Sequence, residues 1–190
     1  MTLPHFNIAH DGTDLGLEGL APFSELCAFK YLRELDLDGN ELSGPLPDWA
    51  PGCWPQLREL DLSWTPLGGG IPSTLATAPL AGTLEELKLR HADMTGTLPP
   101  ELGDMPRLRV LSLKGNWLSG TIPKRLAEGP TAGVIQQLDL QDNPNLVGAV
   151  PEFRELRYEC CWCHWRHCGV YLQGTSVVGV LRRRRTTTRW

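Results

Sequence analysis

No stretch of this chain is long and apolar enough to read as a membrane-spanning helix. Its longest weakly polar run, 169–181, has 13 residues and contains Gln173, Thr175 and Ser176, whereas a span takes about 20 apolar residues. A basic region followed by an apolar core is missing near Met1, so no secretory signal is visible. None of Asn7, Asn40, Asn116, Asn143 and Asn145 opens an N-x-S/T glycosylation sequon. The G-x-S-x-G elbow, the H-E-x-x-H zinc helix and the dinucleotide fingerprint are also absent. "GNWLSGTIP" (115–123) carries two glycines five apart, half of a phosphate loop. Thr121 and Ile122 follow Gly120, however, where the motif needs Lys and then Ser or Thr. These absences exclude the common catalytic and nucleotide-cofactor classes, so neither an enzyme nor a cofactor is expected.

What is present is repetition. The phrase returns as "GNELSGPLP" (39–47), "WTPLGGGIP" (64–72), "HADMTGTLP" (91–99) and "DNPNLVGAVP" (142–151). Ahead of each lies a strand-like segment: "LRELDLDGN" (32–40), "LRELDLSWT" (57–65), "LEELKLRHA" (84–92), "LRVLSLKGN" (108–116) and "IQQLDLQDN" (135–143). Leu35, Leu60, Leu87, Leu111 and Leu138 lie 25, 27, 24 and 27 residues apart. Self-similarity at such a period marks a repeat architecture. Twenty Gly and sixteen Pro in 190 residues are about 19% together; because they recur in register, they signal turns and not disorder.

Each repeated position has a physical role. The alternation in L-x-L is that of a short strand with Leu35 and Leu37 inward and residues 34, 36 and 38 outward. Asn40, Asn116 and Asn143 are placed to hydrogen-bond backbone groups at the turn, where a buried amide must find partners. Thr65 can do part of this and Ala92 cannot, so a local defect is expected in the third repeat. The Gly at 44, 69, 96, 120 and 148 permits a backbone bend. The Pro at 47, 72, 99, 123 and 151 sets φ ahead of a short helical turn.

These motifs resemble the plant-type leucine-rich repeat, with the pattern LxxLxLxxNxLxGxIPxxLxxL. The resemblance covers roughly residues 15–153, about five and a half units, including a half-unit "LGLEGLAP" (15–22). It implies an α/β leucine-rich-repeat solenoid, a horseshoe with a parallel β-sheet on the concave face and short helical or 3-10 turns on the convex face. Such a stack needs covers at its ends. The family's usual amino-terminal cap with paired cysteines and Trp is missing before residue 15. Residues 1–14 therefore read as a poor cap, or the chain as a piece of a longer array, and 154–190 as a poorly ordered Cys/Trp/Arg-rich tail.

The resemblance places the outward strand residues on a concave surface, the default binding face of a solenoid. The first two strands offer Glu34, Asp36, Asp38, Glu59 and Asp61. The middle two bring Lys88, Arg90 and Lys114, and the fifth brings Asp139. Trp64, His91 and Trp117 sit at the strand exits, and aromatic residues and Arg are enriched at interface hot spots. The competing reading is that the charges only solvate the sheet and the Trp side chains pack on adjacent turns. Five strands at about 4.8 Å make a sheet roughly 20 Å wide, suited to a peptide or a protein lobe more than to a metabolite. Residues 1–159 carry 12 basic and 22 acidic groups, a net −10, which repels phosphate and argues against nucleic acid. The expected partner is thus a protein or peptide held by a monomer, with membrane association only as a fragment of a larger receptor.

The tail breaks the pattern. Residues 160–190 hold six Arg and no acid, and "CCWCHWRHC" (160–168) packs four Cys and two His into nine residues. Zinc on Cys160, Cys163, His167 and Cys168, a c-type haem signature in C-x-x-C-H, a disulfide cap of the kind found in secreted relatives, and sequence without structure all remain open. The four-Arg run "VVGVLRRRR" (177–185) resembles the basic stop of a receptor-like membrane segment, though its apolar part is short. Cys27 and Cys53 fall singly in separate repeats, which suits a reducing compartment. The cytoplasm is therefore favoured over an extracellular or membrane-associated setting.

Overall fold

The structure, a computed structural model, describes residues 5–7, 18–48, 53–76, 79–153 and 169–178. Its main element is a seven-stranded, wholly parallel sheet. In chain order the strands and helices are β1 (His5–Asn7), β2 (Glu18–Leu20), α1 (Phe23–Leu26), β3 (Glu34–Asp36), β4 (Glu41–Ser43), β5 (Glu59–Asp61), β6 (Glu86–Lys88), β7 (Val110–Ser112), β8 (Ser119–Thr121), α2 (Arg125–Glu128), β9 (Gln137–Asp139), β10 (Asn145–Ala149), β11 (Gly169–Tyr171) and β12 (Ser176–Val178). The large sheet runs β1-β3-β5-β6-β7-β9-β11, so each turn of the solenoid adds one strand beside the last. Leu35, Leu60, Leu87, Leu111 and Leu138 are in direct register along it. All five are at most 1% exposed, and the second leucine of each L-x-L is equally buried.

The G-x-IP segments build a second edge. β8, β10 and β12 form one small parallel sheet, and β2 pairs with β4 in another. Beyond them the chain turns back through 3-10 turns at Ser73–Ala76, Pro79–Gly82, Pro100–Asp104 and Pro130–Gly133, and through α2. Pro100 opens its turn with φ preset and no N–H to lose, the advantage that favours proline at a helix start. Among the described residues no helix is long and apolar enough to cross a membrane.

The buried Asn side chains tie one turn to the next. Asn116 Nδ2 donates to the carbonyls of Leu89 (2.7 Å) and Leu113 (2.8 Å), while its Oδ1 accepts from the N–H groups of Ala92 (3.1 Å) and Met94 (2.9 Å). Asn143 Nδ2 donates to Leu113 O (2.9 Å) and Leu140 O (3.1 Å) in the same way. Thr65 Oγ1 reaches Leu37 O at 3.1 Å. At Ala92, fully buried, the ladder is interrupted: its methyl has no donor for the carbonyls of the turn before. The third repeat has the expected gap.

Two findings depart from the sequence reading. Cys27 and Cys53 are not isolated; they form a disulfide with Cα atoms 4.9 Å apart. Cys27 ends α1, and Cys53 precedes Trp54, which is fully buried and donates from Nε1 to Leu26 O at 2.7 Å. The repeats thus carry paired cysteines and a Trp after all, one turn further along than expected, and the argument for a reducing compartment loses its basis. The parallel sheets also extend past residues 15 and 153. β1 pairs with β3, β11 with β9, and β12 with β10. Thr175 Oγ1 donates to Leu172 O at 2.8 Å, as Asn143 does to Leu140, so 169–178 forms a further unit. The metal candidates Cys160, Cys163, His167 and Cys168, with the remainder of the Cys-rich tail and the Arg run, lie outside the described residues.

Candidate functional site

Parallel pairing sets the outward side chains of the concave sheet in rows across the strands. The first row runs Asp36, Asp61, Lys88, Ser112, Asp139. The hydrogen-bond ladder continues past the strands, from Leu37 N–H to Asp61 O, Gly39 N–H to Ser63 O, Trp64 N–H to Arg90 O, His91 N–H to Lys114 O and Gly115 N–H to Gln141 O. It sets a second row of Asp38, Ser63, Arg90, Lys114 and Gln141, and a third of Gly39, Trp64, His91, Gly115 and Asp142. Nine of the ten expected residues therefore share one face. Trp117 stands apart: it follows the ladder residue Asn116, binds Met94 O through its N–H at 2.8 Å, and is 58% exposed.

The recurrent aspartates have a local task that sequence reading missed. Asp36, Asp61 and Asp139 each accept, at 3.0–3.2 Å, the backbone N–H two residues on. This is the Asx-turn preference of short acidic side chains, and it ends each strand. The signal was readable as D-x-[DSQ] after the second alternation. Asp61 also lies 3.8 Å from Lys88 Nζ, whose closest carboxylate is Glu86 at 2.7 Å. Burial pulls the Lys88 ammonium down, but Glu86, Asp61 and Glu59 outweigh it and hold its pKa above the usual lysine value.

The acidic end of the face is electrostatically strained. Burial raises the pKa of Asp36, with Asp61 adding repulsion against the help of the Asp38 N–H and Lys88. Burial likewise raises Asp38, with Asp61 and Asp36 adding to it against Arg90, and it raises Glu59, with Glu86 and Glu34 adding to it. Three buried polar atoms on this face have no hydrogen-bond partner: Asp38 Oδ1, Arg90 Nε and Ser112 Oγ. Each such atom has exchanged water for nothing, at a cost of about 1–3 kcal/mol.

Above this end lies an aromatic shelf. The rings of Trp64 and His91 stack with centroids 3.9 Å apart and planes at 17°, while Trp64 stays 58% exposed. Both residues adopt the left-handed region, at φ 56° and 49°, which turns the side chains out of the strand. Gly115, at φ 71°, completes the arrangement: a β-carbon there would fall 2.2 Å from the His91 ring. This glycine therefore both turns the chain and makes room for the imidazole. Among the described residues no group of three or more His, Cys, Asp or Glu is placed to hold a metal ion.

The Leucine Rich Repeat family model matches residues 31–53, 56–78 and 107–128. A receptor protein-tyrosine kinase from Arabidopsis thaliana, CEPR1, is 35% identical over 115 residues, 60% of this chain and 11% of that protein. Among solved structures, the ectodomain of the membrane receptor kinase GASSHO1/SCHENGEN3 from Arabidopsis thaliana, in complex with CASPARIAN STRIP INTEGRITY FACTOR 2, is 38% identical. Its TM-score is 0.63 over 72% of this chain and 15% of that one. The peptide hormone receptor RGFR1 in complex with RGF2 is 26% identical, with a TM-score of 0.71 over 85% of this chain and 23% of that one. The chain thus spans about a tenth to a quarter of the length of these relatives. With the Leu, Asn and G-x-IP positions each in their structural place, the chain carries plant-type leucine-rich repeats and has the solenoid fold of plant receptor ectodomains.

Proposed function

We propose that this chain is a non-enzymatic binding module that holds a peptide or protein segment across the concave face of β3, β5, β6, β7 and β9. The observation that carries this reading is the exposed Trp64–His91 stack set over buried, unpartnered polar atoms of Asp38, Arg90 and Ser112. An exposed aromatic ring beside Arg90 is the kind of surface that anchors a partner. Asp36, Asp61, Lys88, Lys114 and Asp139 flank the shelf and supply charge of both signs along the ligand's path. Five strands about 4.8 Å apart make a face wide enough for an extended chain, and nothing in that pattern encloses a metabolite. The ligand is a peptide or protein and not a nucleic acid, and the module acts as a monomer.

A second reading follows from the length of the relatives: these repeats form part of a receptor-like ectodomain that perceives a ligand and signals through a membrane. The receptor kinase resembled by this chain is about nine times longer than the matched region. The solved ectodomains that share the fold include two in complex with the partners named above.

Affinity capture from native plant extract tests both. The full chain is compared with a variant carrying Trp64→Ala, Lys88→Glu and Arg90→Glu, after circular dichroism shows that both fold. Binding partners held by the wild type and lost by the variant place the function on the concave face. Partners held equally by both remove that face from consideration.

A further inference from the structure

The concave face is uneven, and its most selective corner lies between the first and third repeats. The outward positions of β3 and β5 are Glu34, Asp36, Glu59 and Asp61, with Asp38 just past the first strand and no basic residue among them. Lys88 is engaged by Glu86 and Asp61. Arg90 and the Gly39 N–H act on the Asp38 carboxylate, but burial and the charges of Asp61 and Asp36 outweigh them, and the side chain stays partly exposed. Across the ladder Asp38 neighbours Ser63, one residue before Trp64. With strands about 4.8 Å apart and about 3.3 Å per residue, the Asp38 and Trp64 α-carbons lie about 6 Å from each other. His91 covers one side of the Trp64 ring, and much of the rest faces solvent.

A group that satisfies both features must be flat, cationic and rich in N–H donors. A guanidinium has these properties together: it lies on an indole face, it is weakly hydrated for a cation, and its edge donates to a carboxylate. An ammonium supplies the charge without the plane, and a neutral planar group supplies the plane without the charge. Resting on the concave-face reading above, we propose that Trp64, stacked on His91, together with Asp38 forms a subsite for an arginine side chain of the bound peptide. The arginine lies over the indole, pairs with the partly exposed Asp38 carboxylate and offsets the mutual repulsion of Asp36, Asp38 and Asp61. Gly115 belongs to the same device, since it lets His91 back the Trp64 ring.

The test uses the full 190-residue chain and three blocked tripeptides, acetyl-Gly-X-Gly-amide with X as Arg, Lys or citrulline. Citrulline keeps the shape and the plane of arginine and removes the charge. Two-dimensional NMR follows the Trp64 indole N–H, assigned by its loss in Trp64→Phe. The arginine peptide is expected to shift that signal and to bind at least about tenfold tighter than the citrulline peptide, a difference of about 1.4 kcal/mol. Lysine falls between them. Trp64→Ala and Asp38→Asn abolish the preference, while Glu128→Gln on α2 leaves it unchanged. Because Trp64 is exposed and Asn is isosteric with Asp, both variants are expected to fold, which their amide spectra check directly.

Equal affinities for arginine and citrulline overturn the subsite, as does a preference that survives both variants. So does the absence of any Trp64 shift up to about 10 mM peptide, the range where so small a ligand binds. These outcomes separate from those of the capture experiment. If partners are still lost with the triple variant but arginine has no advantage, the concave face stands and only the subsite falls. Partners retained by the triple variant remove the face, whatever the tripeptides do.

Discussion

Replacing Asn116 by Ala removes one side chain but strands three backbone groups. Leu89 O loses its amide donor, and the N–H groups of Ala92 and Met94 lose their shared acceptor. Leu113 O is spared, because Asn143 also donates to it at 2.9 Å. At about 1–3 kcal/mol for each buried group left unpaired, the sum is about 3–9 kcal/mol. Water admitted to the small hole recovers part, so the expected loss is about 4 kcal/mol. For a chain of this size that is a fall in Tm of about 8–16 °C. The same count predicts an order. Asn143→Ala strands two groups, Leu140 O and Leu118 N–H, and costs about two thirds as much. Thr65→Val strands none outright, since Leu37 O keeps Asn40 at 2.8 Å and Ser63 O keeps the Gly39 N–H, and costs about 0.5–1 kcal/mol. Urea unfolding followed by circular dichroism, with matched slopes, measures all three. A loss below about 1 kcal/mol for Asn116→Ala, or Thr65→Val costing more than Asn143→Ala, refutes the reasoning.

Four further outcomes are expected. Ala92→Asn restores the missing amide beneath the Leu62 and Leu89 carbonyls and raises Tm by a few degrees, as thermal denaturation will show. Gly115→Ala places a methyl at positive φ against the His91 ring. It should cost about 1–2 kcal/mol and change the near-ultraviolet signal of Trp64; an unchanged spectrum would sink the packing argument. Reducing the Cys27–Cys53 disulfide, which closes a loop of 26 residues, is expected to cost about 3 kcal/mol. The loss should speed amide exchange first in residues 23–60. The raised pKa values of Asp36, Asp38 and Glu59 mean that the native state binds more protons than the unfolded chain between the two pKa values. By linkage these groups destabilise the fold at neutral pH, and that penalty is relieved as pH falls toward the ordinary carboxylate range near 4. Asp36→Asn should flatten this part of the urea-midpoint profile against pH, and a steeper profile would contradict it.

The strands β3, β5, β6, β7 and β9 were legible because two signals coincide in them, a local alternation and a recurrence near 25 residues. The Asn ladder and its break at Ala92 were legible for the same reason, since chemistry at a fixed repeat position is compared unit by unit. The unit at 169–178 escaped notice because only Val170 and Leu172 keep the L-x-L spacing and Thr175 replaces Asn. The disulfide was legible only with the stacking in view. Cys27 and Cys53 lie 26 residues apart, close to one repeat, at nearly equivalent positions ahead of Leu32 and Leu57, so neighbouring turns bring their α-carbons to 4.9 Å. Of the binding face, the residue set could be read from the pattern, but not which members touch. The Trp64–His91 stack depends on two left-handed residues and on a glycine in the following repeat, none of which periodicity encodes.

The gap at Ala92 sits at the junction that the aromatic shelf straddles. Trp64 belongs to the second repeat and His91 to the third, so a ring contact joins the two turns where the amide link is missing. In a quasi-linear solenoid, stability is a sum over such junctions, and the weakest one decides where the array parts. A chain laid across Trp64, Arg90 and Asp38 acts there as a splint. Occupancy of the face and stiffness of the solenoid then become one quantity, read equally well by a binding curve or by a rise in the temperature at which the second and third turns separate.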